Sequence, residues 1–290
     1  MLLSELPTPD SELKQEVKMD WGMKNRLSRI FQPESGRTVM LACDHGYFLG
    51  PVSRLEKLGD TIKPLIPYAD ALMITRGAIR NEIDPVGAKP VVLRVSGGTS
   101  IVGGTLSNEA ITTSIKDAIK INASAITNSV FIGTEHEKQT LLSLSELVNQ
   151  GEEYGIPVLA VTAVGKELEK RDARYLSLCC RICAELGAHF VKTYYCEDFE
   201  KVTGSCPVPI VIAGGPKLKT DTDALRLASE AIQRGASGVD MGRNIWQSKF
   251  PIPMIKAIRS IVHDNMPLKE AEDMFTEEKA RITEGCKVNG

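Results

Sequence analysis

Ala188-His189-Phe190-Val191-Lys192-Thr193-Tyr194-Tyr195 is an apolar, strand-like run that carries a lysine at an interior position. Phe190 and Val191 mark the segment as buried, and a buried ammonium is costly, so Lys192 needs a reason to sit there. Desolvation favours the neutral amine, and a neutral amine attacks a carbonyl to give an imine. Lys192 is therefore a candidate Schiff-base nucleophile; the alternative is a lysine at the mouth of the strand that snorkels to water or pairs with a carboxylate. Two downstream strand ends tip the balance towards chemistry. Ile210-Val211-Ile212-Ala213-Gly214-Gly215 and Gly238-Val239-Asp240-Met241-Gly242-Arg243 both end in glycines suited to a phosphate.

Working outward from this run, short apolar segments alternate with longer amphipathic ones from residue 38 onward. Eight of them read as strands: Thr38 to Cys43, Ala71 to Thr75, Val91 to Val95, Ser124 to Phe131, Pro157 to Thr162, Ala188 to Tyr194, Pro209 to Ala213, and Gly238 to Met241. Runs that are apolar throughout belong to strands covered on both faces, as in parallel sheets. Eight strands with intervening helices predict an α/β protein of the (β/α)8 TIM barrel type. A doubly wound open sheet competes, but neither Gly97-Gly98 nor Gly214-Gly215 completes a Gly-x-Gly-x-x-Gly turn.

The expected organisation is an amino-terminal extension (1–36) with one amphipathic helix, the barrel (37–265), and a helical carboxyl-terminal tail (266–290). Leu27, Ile30 and Phe31 recur at helical spacing before Pro33 and Gly36, so the extension's helix could plug one end of the barrel or hold a neighbouring subunit. The tail's charged run, Lys269 to Ile282, reads as a helix that could fray or cap a neighbour.

With 290 residues, 42% hydrophobic and 25% charged, the chain can bury one large core. A formal net charge of −2 offers no basic field for nucleic acid. No apolar run reaches the roughly 18 residues of a membrane span and Met1 to Asp20 is too polar for a signal peptide, so a cytoplasmic location is expected. The seven cysteines fit reduced thiols. Cys179, Cys180 and Cys183 cluster on one helix, but no histidine lies at ligand spacing, and packing is expected there rather than a metal.

In a barrel of this kind chemistry gathers at the carboxyl ends of the strands. Those positions carry Asp44 and His45, Thr75 and Arg76, Ser96, Lys166, Lys192, Gly214 and Gly215, and Gly242 and Arg243. Gly214, Gly215 and Gly242 would let backbone N–H groups approach a phosphate, with Arg243 adding charged donors. Asp44 could hold Lys192 in place or relay protons, and His45 could serve as an acid or base, though both also fit a solvated loop before Gly46. Asp240 is expected in a structural ion pair with a neighbouring cation inside the barrel, Arg94 and Lys116 lie on the third unit, Lys256 is expected in solvent, and His136, His189 and His263 in surface or packing positions.

Asp44-His45-Gly46, Val191-Lys192-Thr193-Tyr194-Tyr195, Ile212-Ala213-Gly214-Gly215 and Val239-Asp240-Met241-Gly242-Arg243-Asn244-Ile245-Trp246 resemble motifs of the lysine-dependent (class I) aldolases, a family that includes archaeal-type fructose-bisphosphate aldolase and the deoxyribose-phosphate aldolases. The likeness runs from Asp20-Trp21-Gly22-Met23 through Trp246-Gln247-Ser248. It is greatest with the family's thiolase branch in autoinducer-2 breakdown, and Val39-Met40-Leu41-Ala42-Cys43-Asp44-His45-Gly46-Tyr47-Phe48 is its most specific stretch. The resemblance implies a Schiff base on Lys192, transfer of acetyl from a phosphorylated diketone to coenzyme A as co-substrate with no bound cofactor, and a ring-shaped homo-oligomer, such as a decamer. One departure bears on the reaction. Aldolase relatives with a tyrosine acid/base carry it at the end of the fifth strand, where this chain reads Leu159-Ala160-Val161-Thr162-Ala163-Val164; plain aldol cleavage becomes less favoured than acyl transfer to a thiol. Tyr194 is expected to point away from the pocket.

Overall fold

The structure, a computed structural model, describes residues 19–163 and 171–288; Lys166 and positions 1–18 of the extension lie outside the described residues. Trp21–Ile30 form α1, capped by Asp20, whose carboxylate accepts the Gly22 N–H at 3.1 Å. The chain continues through β1 (Thr38–Ala42), α2 (Gly46–Leu49), α3 (Leu58–Ile62), β2 (Ala71–Thr75), α4 (Arg76–Glu82), β3 (Val91–Arg94), β4 (Ser96–Gly97) and β5 (Ala110–Ile111). Then come α5 (Ile115–Lys120), β6 (Ala125–Val130), α6 (Glu137–Tyr154), β7 (Val158–Thr162), α7 (Ala173–Glu185), β8 (Phe190–Tyr194), α8 (Phe199–Ser205), β9 (Ile210–Ala213) and α9 (Asp221–Gln233). The last elements are β10 (Gly238–Met241), α10 (Arg243–Trp246), α11 (Pro251–Asp264) and α12 (Leu268–Val288).

Eight parallel strands close into a barrel in the order β1-β2-β3-β6-β7-β8-β9-β10 and back to β1. These are the eight runs read from the sequence, two of them unchanged and six shortened by one or two residues. The antiparallel ribbon of β4 and β5, pairing Ser96 with Ile111 and Gly97 with Ala110, is an addition that the apolar pattern did not announce. At the β1–β10 seam, Gly238 sits at φ +143°, and a Cβ there would overlap the Thr38 carbonyl. Only glycine lets the two strands close at this point.

Side chains alternate between two apolar layers, because successive strand residues face opposite sides. Val39, Leu41, Val191 and Val239 pack outward against the helices. Met40, Val92, Leu159 and Phe190 fill the barrel's interior near the strand starts, where α1 adds Ile30, Leu27 and Phe31. The Phe31 and Phe190 rings meet edge to face, 5.4 Å apart. The extension's helix therefore plugs the amino-terminal end of its own barrel. Just outside the plug, Asp70 accepts from the Val39 N–H (2.7 Å), Arg259 (2.6 Å) and His263 (2.7 Å), which gives His263 its packing role.

The tail forms the expected helix and corrects the expectation for Lys256. α12 lies along α11 and α9, and Lys256, expected in solvent, reaches both oxygens of Glu278 at 2.9 and 3.0 Å. Ala271 and Phe275 on α12 are buried, so apolar contact with the chain's own barrel holds this helix in place. Among the described residues no helix is long and apolar enough to cross a membrane, and no group of three or more His, Cys, Asp or Glu could hold a metal. Cys179, Cys180 and Cys183 are buried free thiols in the outer core.

Candidate active site

Inward-facing positions change character along the barrel, from apolar at the strand starts to charged at the strand ends. On β8, Phe190 belongs to the interior layer and Lys192, two residues on, faces the same way one step higher. Asp240 on β10 and Arg94 on β3 are placed by the same alternation. All three line one cavity of about 250 Å3 that opens at the carboxyl ends of the strands.

Lys192 is only 7% exposed, and its Nζ lies 2.8 Å from Asp240 Oδ2. The approach is oblique: neither oxygen of Asp240 receives a directed hydrogen bond. Burial pushes the Asp240 carboxyl up against the pull of Lys192. A carboxyl raised in this way is a ready acceptor for the ammonium proton, and its transfer would leave the amine with the lone pair that carbonyl addition needs. The nearest thioether, Met73 Sδ, is 3.9 Å from Nζ.

The β1, β3 and β6 side of the cavity holds a polar network. Arg94 Nε donates to Asp44 Oδ2 at 2.9 Å and Arg94 Nη1 to Ser129 Oγ at 3.0 Å. Glu109, on the loop before β5, accepts from Ser96 Oγ (2.6 Å) and from Tyr47 Oη (2.7 Å). The Arg94 guanidinium also sits 5.2 Å from the centre of the Tyr47 ring. Burial raises Asp44, but Arg94, His45 and Lys192 together outweigh it and hold this carboxyl below its usual range. Burial pushes the Tyr47 phenol well above its ordinary value, so the group stays an O–H.

His45 follows Asp44 and packs its ring edge to face on Trp246, 5.4 Å between centres. Burial lowers its pKa to about 4 despite the adjacent Asp44, so the imidazole is neutral near pH 7. This packing explains the glycine opposite. A Cβ on Gly242 would come within 2.5 Å of the Ala42 carbonyl oxygen and 2.6 Å of His45 Cε1. Gly242 is thus required by close approach, and it starts α10. Asn244 ties α10 to the turn after β9, donating to the Gly214 carbonyl at 2.7 Å and accepting the Leu218 N–H at 2.8 Å.

Unmatched positive charge marks this β9–β10 end. The Nε atoms of Arg171 and Arg243 are buried and have no hydrogen-bond partner among the described residues. The Arg171 guanidinium sits over the Tyr194 ring, 3.7 Å from its centre. Burial pulls both guanidinium pKa values down, and Arg171 lowers that of Arg243 further. Two half-buried guanidiniums beside Gly214, Gly215 and Gly242 form a site suited to an anion.

The structure brings Lys192, Asp44, His45, Gly214, Gly215, Gly242 and Arg243 to this one cavity. Two sequence expectations change. The carboxylate beside Lys192 is Asp240, whereas Asp44 is taken by Arg94. Tyr194 lines the cavity instead of pointing away, because it falls two residues past Lys192 on the same face of β8. Tyr47, Glu109, Ser129 and Arg171 were not singled out from sequence. Tyr47 and Glu109 were discoverable only through the ribbon that brings them together, and Arg171 has no local pattern to mark it.

Residues 38–248 match the DeoC/LacD family aldolase profile. A relative from Enterobacter sp. (strain 638) named 3-hydroxy-5-phosphonooxypentane-2,4-dione thiolase is 55% identical over 262 residues, 90% of this chain and 88% of its own length. A relative of the same name from Photorhabdus laumondii is 50% identical over 278 residues, covering 95% and 94%. Among solved structures, an archaeal fructose-1,6-bisphosphate aldolase with its catalytic lysine covalently bound to the carbinolamine intermediate superposes with a TM-score of 0.75 at 25% identity, over 83% of this chain and 99% of that one. By this match, which includes every barrel strand and both glycine turns, the chain belongs to the DeoC/LacD family of aldolases.

Proposed function

We propose that this chain is a thiolase of autoinducer-2 breakdown: it forms an imine between Lys192 and a phosphorylated diketone, 3-hydroxy-5-phosphonooxypentane-2,4-dione, and passes the acetyl group to coenzyme A. The observation that carries the reading is the placement of a buried amine against Asp240 in the same cavity as the glycine turns and two guanidiniums whose buried Nε atoms have no hydrogen-bond partner among the described residues. Lys192 Nζ adds to the ketone next to the phosphate-bearing carbon and water leaves, giving an iminium that serves as an electron sink. The thiol sulfur bonds to the other carbonyl carbon. The carbon–carbon bond to the hydroxyl-bearing carbon then breaks, and its electron pair enters the enamine. Protonation of that carbon and hydrolysis of the imine release dihydroxyacetone phosphate and the free lysine, with acetyl-CoA as the second product. Gly214, Gly215, Gly242 and Arg243, with Arg171 beside them, hold the phosphate so that the carbonyl lies at the amine, which turns binding energy into orientation. In this reading the enzyme is a cytoplasmic homo-oligomer that needs no bound cofactor.

The names of the relatives support thiolysis, and so does the end of β7, where Val161, Thr162 and Ala163 offer no phenol. Aldol cleavage of another sugar phosphate at the same lysine is the second reading, favoured by the archaeal structural neighbour. The deciding experiment supplies the diketone with and without coenzyme A and follows both products. Acetyl-CoA formation that requires coenzyme A is expected; cleavage at the same rate without it selects the aldolase. Borohydride should trap the substrate on Lys192 in either case, and a ligand that remains dialysable after borohydride would select a binding protein without chemistry.

A further inference from the structure

We infer that Tyr47 and Glu109 form the proton-accepting pair that activates the incoming thiol. The inference rests on the thiolase reading above and adds to it a site for the co-substrate's sulfur. The cavity has two ends. Lys192, Arg243 and the glycine turns occupy the β8–β10 end and account for the imine and the phosphate. The opposite end, near α2 and the β4–β5 ribbon, is lined by Tyr47 and Glu109 together with the apolar side chains Phe48, Leu106 and Phe131. An apolar lining suits a thioether-like alkyl thiol arm and cannot itself remove a proton.

Of the polar groups at that end, Asp44 is a poor base because Arg94 holds its carboxyl low and occupies Oδ2. Tyr47 differs. Its phenol carries a proton that already rests on Glu109 Oε1 at 2.7 Å, and Glu109 is 3% exposed with Oε2 held by Ser96. The pair can therefore pass a proton without moving. As the thiol sulfur bonds to the carbonyl carbon, the S–H proton goes to Tyr47 Oη and the Tyr47 proton goes to Glu109 Oε1. When the carbon–carbon bond breaks, the carbonyl re-forms and the released electron pair enters the enamine. The proton on Glu109 then returns through Tyr47 to the enamine carbon, which restores both groups. Nothing else is consumed, and the proton count closes over one turnover.

Tyr47→Phe keeps the ring against Arg94 and deletes the relay; Glu109→Gln keeps one oxygen to accept from Tyr47 while its NH2 replaces the acceptor of Ser96, and it cannot take a proton. Each is expected to lower kcat for coenzyme A-dependent cleavage by about 10²- to 10⁴-fold, while borohydride trapping of dihydroxyacetone phosphate on Lys192 proceeds at the native rate. The second readout uses small thiols in place of coenzyme A. If the pair removes the thiol proton, the deficit of both variants shrinks when an aliphatic thiol is replaced by its more acidic fluorinated counterpart. Loss of trapping together with cleavage would show that the pair only supports the fold near Lys192, and native kcat in both variants would show that it does not act; either overturns the inference. A deficit independent of thiol acidity does the same. If the unaltered enzyme forms no acetyl thioester with any thiol, the thiolase reading itself falls, an outcome separate from all of these.

Discussion

The two ends of this barrel's interior are built from the same alternation of strand residues and serve opposite needs. At the strand starts Met40, Val92, Leu159 and Phe190 meet Ile30 and Phe31 of α1 in an apolar plug. At the strand ends the same inward rows carry Lys192, Asp240 and Arg94, buried as charges. The first end gains stability from area removed from water; the second spends stability on desolvated charge and holds it in place by pairing. Changes at the two ends should therefore separate activity from stability.

The largest effect is expected at the upper end. Lys192→Ala should lower turnover by about 10⁴-fold or more and abolish borohydride trapping, yet leave a folded chain, since Asp240 is already pushed towards its neutral form by burial and can stay protonated without a partner. Assay and thermal melting of the same preparation check both halves, and a variant that unfolds would break the proposed division. At the lower end Ile30→Ala, at a position with no exposure, should cost about 2–5 kcal/mol in chemical unfolding while kcat at low temperature stays native.

His45 gives an intermediate effect and a pH signature. Its folded value of about 4 lies below the unfolded value near 6.5. Between those two pH values the unfolded chain takes up a proton that the folded chain refuses, so stability is full above pH 6.5 and is lost as pH falls towards 4. The loss attributable to this side chain is on the order of 3 kcal/mol, read as the difference in unfolding free energy between the native chain and His45→Gln across that window. His189 is also lowered by burial and contributes in the same direction, so the variant should flatten the slope without removing it. The smallest of the four effects belongs to the phosphate end. Arg243→Ala should raise KM for the phosphorylated substrate by about tenfold to a hundredfold, the worth of a charged hydrogen bond, with the melting temperature unchanged. An unchanged KM would show that this guanidinium does not meet the phosphate.

How much of this could be read from the chain follows from the range over which each feature is specified. The eight strands are local: each is a run of apolar residues between turn signals, and each lies where those runs put it. Lys192 stands out for the same reason, as do Arg94 and Asp240, each a charge in such a run. The helix at Trp21–Ile30 announced its apolar face, and that face is the plug. Partners across the barrel are another matter. Asp240 lies in β10 and Asp44 just past the end of β1, and which of them meets Nζ depends on the closure of β1 on β10 and on Arg94 claiming the other. The meeting of Tyr47 with Glu109 spans 62 positions and depends on a ribbon of two-residue strands, too short to leave a pattern. Tyr194 shares the inward face of β8 with Phe190 and Lys192, so its place in the cavity is legible from strand alternation, whereas the Arg171 guanidinium over its ring is not.

The seam at Gly238 has a consequence for how the enzyme comes into being. Thr38 pairs with Gly238, 200 positions later, so a chain emerging from the ribosome carries an open sheet edge through most of its synthesis. The first strand must wait for the last, and contacts this distant in sequence are slow to form. Asp240 arrives with that last strand. Until it does, Lys192 lacks the carboxylate that meets it in the closed barrel, and the cavity that would orient a ketone against the amine is incomplete.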